Sequence, residues 1–183
     1  MTFLRLGAWP LCLMWLAILS GCAVTPKAPT ASLGEPLSGR LSVRVDGLDG
    51  AAARSVSAAF ELQGNAQVGS LNLATPLGTV LAQARWSPGQ VVLATPQGQS
   101  NFTDLDALTR EVLGESVPVA ALFDWLRGRP WPGAPSTALV PATEPGFAQL
   151  GWAINLARFD QATVTALREQ APAVTVRAKL DRP

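Results

Sequence analysis

The chain has 183 residues, enough for one domain, and is 48% hydrophobic but only 15% charged. Its 14 basic and 13 acidic residues are scattered and leave a net charge of +1, which argues against a nucleic-acid-binding role. It has no His and no Tyr, so the commonest general base and the commonest metal ligand are both missing.

The first predicted element is a leader. Arg5 is the only charge before the apolar run "LCLMWLAILSG", Leu11 to Gly21, and Cys22 follows. A basic start, a short apolar run and small residues at its end describe a secretory signal. The competing reading is a transmembrane anchor, but the run is shorter than the ~20 residues a bilayer crossing needs. Leu19-Ser20-Gly21-Cys22 resembles the lipobox of bacterial lipoproteins. That resemblance implies a signal over residues 1–21, cleavage before Cys22 and acylation of Cys22. Ala23 stands where an aspartate often retains such proteins in the inner membrane, so the outer membrane is expected. Cleavage would remove Arg5 and Cys12, balancing the charges and leaving Cys22 as the only cysteine. No intrachain disulfide is then possible, and packing alone must hold the domain.

Residues 22–37 comprise this cysteine and a Pro-, Ala- and Thr-rich stretch that reads as a flexible tether. The domain is expected over 38–183. Leu41, Val43 and Val45 alternate with polar residues, as do Val56, Ala58, Phe60 and Leu62, then Leu71 and Leu73. Val80 to Trp86 and Val91 to Thr95 continue the series, with turn residues between the runs. This predicts an antiparallel meander. The spacing of Leu105, Leu108 and Val112 predicts a helix, capped by Thr103 and stopped by Gly114. "SVPVAALFDWLRG" predicts a second, capped by Ser116 and ended by Gly128, with Val119, Leu122, Phe123 and Leu126 on one face. The prolines of "GRPWPGAP" forbid regular structure. "LGWAINLARF" and "AVTVRAKLD" read as strands, while "QATVTALREQ" fits either a strand or a short helix. The fold class is mainly β with α: a highly curved antiparallel sheet whose open side the mid-chain helices cover.

No Gly-x-Ser-x-Gly elbow and no phosphate loop occurs. Asp104 and Asp106 are read as helix-start acids rather than a catalytic pair. No catalytic residue, metal site or cofactor is predicted. What remains is apolar surface. A curved sheet under two small helices leaves room for an apolar cavity. Candidates for its lining are Phe60, Leu71, Leu73 and Trp86 on the strands, Leu122, Trp125 and Leu126 on the second helix, and Trp152. Trp131, in the proline-rich loop, stands apart as the tryptophan least suited to ordinary core.

Several features now converge. A lipobox, a tether, an antiparallel sheet, Pro76-Leu77-Gly78 at a strand corner, and the series Gly114, Pro118, Leu122, Trp125, Leu126, Gly128 resemble the LolB family of outer-membrane lipoprotein receptors. The resemblance runs from about Ser38 to the C-terminus, with Trp152 on the late strand. The chain departs from the family's common look in lacking tyrosine and in carrying Glu61 where a tryptophan often stands. The resemblance implies an unclosed β-barrel with helices as a lid over a hydrophobic cavity. It implies a monomer, held by Cys22 at the periplasmic face of the outer membrane. Such a receptor accepts lipoproteins from the periplasmic carrier LolA, binds their acyl chains and passes them to outer-membrane lipid. A corner leucine would ordinarily fold under a neighbouring element. Under the resemblance Leu77, flanked by Pro76 and Gly78, is expected to protrude and to serve membrane insertion. The competing readings are a lipocalin-like lipoprotein holding a small apolar ligand and a structural accessory of an outer-membrane assembly machine.

Overall fold

A computed structural model describes residues 35–48, 50–140 and 144–181. The expected signal, Cys22 and nearly all of the tether lie outside these residues. The described residues fall within one unit, Ala31–Pro183.

Six strands come first: β1 (Leu37–Val45), β2 (Arg54–Gly64), β3 (Gly69–Ala74), β4 (Val80–Ser87), β5 (Gln90–Thr95) and β6 (Gly98–Phe102). Two helices follow, α1 (Leu105–Leu113) and α2 (Val119–Trp125). Five strands complete the chain: β7 (Ser136–Ala138), β8 (Gly146–Gln149), β9 (Trp152–Asn155), β10 (Thr163–Arg168) and β11 (Val174–Leu180). All eleven form one antiparallel sheet in the order β6-β5-β4-β3-β2-β1-β11-β10-β9-β8-β7. The two halves of the chain are separate meanders that meet where β11 pairs with β1. The outermost strands, β6 and β7, do not pair with each other, so the barrel is unclosed, as the sequence led us to expect.

Period-two patterning builds this sheet. Val43 and Val45 are buried while Arg40 and Arg44 face water, and Ala58, Phe60 and Leu62 are buried against exposed Glu61. Each fully buried large side chain contributes roughly 1.5–3 kcal/mol. The same alternation continues at Val174, Val176 and Ala178, so both meanders turn one apolar face inward. The ambiguous "QATVTALREQ" is strand β10, because Val164 and Ala166 bury at period two. Strands β6, β7 and β8 were not foreseen. Gly98–Phe102 has no apolar alternation, Ser136–Ala138 has three exposed residues, and β8 is four residues long. Neighbour pairing, rather than their own sequence, makes them strands.

Both helix N-caps differ from expectation. The N-cap of α1 is Asp104, whose carboxylate accepts the Ala107 N–H at 2.7 Å, and Thr103 donates its hydroxyl to that carboxylate at 3.2 Å. An ionised acceptor outbids a hydroxyl for a helix-start N–H. Gly114 ends α1 in the left-handed region, with φ 81°, as the sequence predicts. α2 is capped by Pro118 without any side-chain bond, not by Ser116, since proline's fixed φ suits the first turn. The Ala107 N–H, aided by Thr103 and Arg110, holds the Asp104 carboxyl below its ordinary value. A lowered native pKa gives stability that is full above the unfolded carboxylate pKa and is lost as pH falls through the lowered one. The protection of α1 amides, taken relative to the unstructured rate at the same pH, should therefore fall on acidification over that window. Asp104→Asn, which keeps a cap, should flatten the dependence. An unchanged profile in the Asn variant would assign the effect to another group.

Candidate functional site

An apolar cavity of about 100 Å³ lies between the inner face of the sheet and the helices. Leu41 and Val43 of β1, Ala58 of β2, Leu71 and Leu73 of β3 and Val176 of β11 form its floor. Leu108, Val112 and Leu113 of α1, Val117 of the linker, and Val119 and Leu122 of α2 form its roof. The helical spacing of Leu108 and Val112 brings both side chains onto the roof. Val56 at the start of β2 and Val112 of α1 line the cavity and are also exposed, so they mark its mouth.

The cover is tied down at defined points. Buried Thr109 of α1 donates its hydroxyl to the Asp106 carbonyl at 3.2 Å and accepts the Val117 N–H at 3.1 Å. That bond fixes where the linker to α2 begins. Glu115 in the same linker pairs with Arg168 of β10 at 2.7 Å, and the Arg168 guanidinium lies 5.7 Å from the Trp152 ring centre. Gln149 of β8, only 3% exposed, is the hub beneath α2. Its Oε1 accepts the Trp125 indole N–H at 2.7 Å and the Trp131 N–H at 2.9 Å. Its Nε2 donates to the Trp131 and Ala134 carbonyls, both at 2.7 Å.

The structure divides the eight proposed lining residues. Leu71, Leu73 and Leu122 face the cavity. Phe60, Trp86, Trp125, Leu126 and Trp152 are buried in the packed core and do not line it. Trp86 donates its indole N–H to the Asn65 carbonyl at 2.8 Å and meets Phe123 edge-on at 6.0 Å. Trp125 spends its indole N–H on Gln149 and lies 6.0 Å from Trp152. A large ring with one polar atom satisfied is a core residue. Trp131 also leans on the core, and its ring lies over Gly133, where a Cβ would meet it at 2.3 Å. The α1 residues and Val56 were legible as apolar faces, but nothing in their spacing separates a cavity wall from a packed one.

The second feature is the β3–β4 corner. The Thr75 N–H donates to the Thr79 carbonyl at 2.8 Å, the Gly78 N–H to the Thr75 carbonyl at 2.9 Å, and the Thr79 N–H to Thr75 Oγ1 at 3.1 Å. Gly78 has φ 87°, which favours glycine, and Pro76 fixes the entering backbone. Leu77 at the tip is 95% exposed. It forgoes roughly 1.5–3 kcal/mol of burial. Just past the corner the register slips: Leu73 faces Ala82 but Ala74 faces Val80, leaving Leu81 as the extra residue. Val80 and Leu81 are also exposed, so the corner carries three apolar side chains. Pairing of β2 with β3 stops at Ala59 and Ala74, and Pro76 borders a cleft with Ser57 and Ala58. Val56 is the next residue along β2, so corner and cavity mouth stand at the same end of the sheet. Among the described residues no group of His, Cys, Asp or Glu could hold a metal ion.

An unclosed barrel with a helical cover over an apolar cavity is the build of a protein that houses apolar ligands. The family model described as outer membrane lipoprotein LolB matches residues 36–180. The chain is 34% identical over 192 residues to the outer-membrane lipoprotein LolB of Bordetella bronchiseptica, covering 99% of this chain and 95% of that one. It is 33% identical to that of Thiobacillus denitrificans, with 77% of each chain covered. It is 32% identical to that of Cupriavidus pinatubonensis, over 89% of this chain and 80% of the relative. The chain belongs to the LolB family of outer-membrane lipoproteins.

Proposed function

We propose that the chain receives lipoproteins at the periplasmic face of the outer membrane and hands them to its lipid. The observation that carries the reading is the pairing of an apolar cavity mouth with a fully exposed apolar corner at one end of the sheet. Cys22 carries the acyl anchor, and two or more acyl chains suffice for stable attachment. The periplasmic carrier LolA delivers the client. Leu71, Leu73 and Leu122 contact its acyl chains, and the surrounding buried aromatics shape the wall behind them. Leu77, presented by Pro76 and Gly78, dips into the bilayer. The role is transport without a catalytic step. Family membership favours it over the lipocalin-like and accessory readings.

The physics supplies the need. Wetting one long acyl chain costs roughly 10 kcal/mol, at ~0.8 kcal/mol per methylene. A chain passed directly from one apolar cavity to another, and then to hydrocarbon, avoids that cost. Transfer runs forward when this cavity binds more tightly than the carrier's and less tightly than the bilayer.

The test is to mix the full chain with a carrier–lipoprotein complex and ask which protein holds the client, before and after adding vesicles. We expect the client to move to this chain and then to the vesicles. Leu122→Arg, a charge in the cavity roof, should block the first step. A client that stays with the carrier in the wild type would refute the receptor reading.

A further inference from the structure

The outer face of the sheet carries a cationic cluster that the transfer of acyl chains does not use. Arg40 of β1 stands directly opposite Lys179 of β11, and Arg177 stands opposite Ser42 on the same face. All three cations are exposed. Like charges placed directly across a pair of strands repel. Among the described residues no acidic side chain forms an ion pair with any of them. Lys179 donates only to the Gln161 main-chain carbonyl. Glu144 and Glu169 line a neighbouring cleft together with Arg177, without an ion pair to it. Glu61 and Asp181 are level with Ser38, on the far side of Arg40 from the corner, and Asp181 accepts from the Ser38 hydroxyl. Asp46 is occupied by Arg44 at 2.8 Å.

The cluster has a shape as well as a charge. Arg40, Arg177 and Lys179 line a cleft of about 290 Å³ whose far wall includes Ser57 and Pro76. Pro76 is the residue before Leu77. The cleft is thus continuous with the base of the apolar corner. A surface that presents an apolar tip and, beside it, cations without acidic partners at the rim of a shallow, mainly apolar cleft matches the boundary between hydrocarbon and headgroup phosphates. Burial of the tip would bring those cations into the phosphate layer.

We infer that Arg40, Arg177 and Lys179 form a seat for the phosphates of anionic membrane lipids, which holds the domain against the bilayer with Leu77 pointing in. The inference rests on the insertion reading of Leu77 and adds a headgroup specificity to it. Guanidinium groups suit phosphate because their planar donors bind its oxygens in pairs.

The test uses the full acylated chain in vesicles, with an environment-sensitive dye on Thr79→Cys beside the tip. With phosphatidylglycerol in the bilayer the dye should move into an apolar environment, and high salt should reverse part of that shift. Replacing the three cations by Gln should lower the inserted population by about a hundredfold on anionic vesicles, given the usual gain per basic residue at such a surface. Phosphatidylethanolamine vesicles should show little difference, and Arg40→Lys with Arg177→Lys, which keeps the charge but loses the paired donors, should insert better than the Gln variant and less than the wild type. Insertion by the Gln variant equal to the wild type's would overturn the proposal. So would normal insertion with lost uptake from the carrier, which would make the cluster a protein-docking surface. If the Gln variant misfolds, the wild type decides: insertion indifferent to both anionic lipid and salt rules the seat out. Leu77→Glu serves as the separate control, because it should abolish insertion on both lipids. Its failure would strike the insertion reading, while the anionic-lipid difference would still report on the seat.

Discussion

A Leu77→Glu chain is expected to fold normally, take its client from the carrier and then keep it. Folding should survive because Leu77 is 95% exposed and its turn is held by backbone bonds of Thr75, Gly78 and Thr79. Uptake should survive because Leu77 is not among the residues lining the cavity. Delivery should fail. A carboxylate deep in hydrocarbon costs about 2.5–3.5 kcal/mol, and the ~1.5–3 kcal/mol that Leu77 gains there is lost as well. Together these predict a fall in delivery to vesicles on the order of a thousandfold or more. Leu77→Ile and Leu77→Phe should deliver near the normal rate, because only hydrophobicity is required. Carrier release and vesicle delivery, followed in one time course, separate the two steps. If the glutamate variant unfolds, the tip is structural. If it delivers at the wild-type rate, membrane insertion is not its task.

The second large effect belongs to stability. Gln149→Leu should lower the free energy of unfolding by about 3–5 kcal/mol, since it strands several buried polar groups at about 1–3 kcal/mol each. The groups left without partners are the Trp125 indole N–H, the Trp131 N–H and the carbonyls of Trp131 and Ala134. Leucine is close in size to glutamine, so the loss should track hydrogen bonding rather than volume. Gln149→Glu should be nearly as damaging, because a carboxylate cannot donate to those two carbonyls. Urea unfolding followed by tryptophan fluorescence measures both. A loss below ~1 kcal/mol would mean that water or a moved loop replaces the side chain.

Much of this fold could be read from side-chain period. The inward faces of β1, β2, β9 and β11 were legible because alternation is strict there, and Gly114 stopped α1 where a left-handed residue was needed. The corner was legible for a local reason: Pro76 and Gly78 fix backbone geometry without help from the rest of the molecule. The edge strands were not, since β6 and β7 owe their conformation to β5 and β8. Gln149 was overlooked entirely. A single glutamine in "GFAQLGW" carries no sign that four groups from two distant segments converge on it. The cavity wall was legible only in part for a related reason. Apolarity marks Leu71, Leu73 and Leu122 no differently from Trp125 or Phe60, and only the curvature of the finished sheet decides which side chains meet empty space.

Leaving the barrel open has a price at its margins. Two rows of backbone amides and carbonyls, one along β6 and one along β7, lack a neighbouring strand within the sheet. Such rows are templates on which a second chain could polymerise. Both are blunted here. β7 is three residues long, and β6 presents Gln99, Ser100 and Asn101 to water rather than apolar side chains. A hydrophobic substitution along Gln99–Asn101 would therefore be felt first as self-association and loss of solubility, well before any change in the interior.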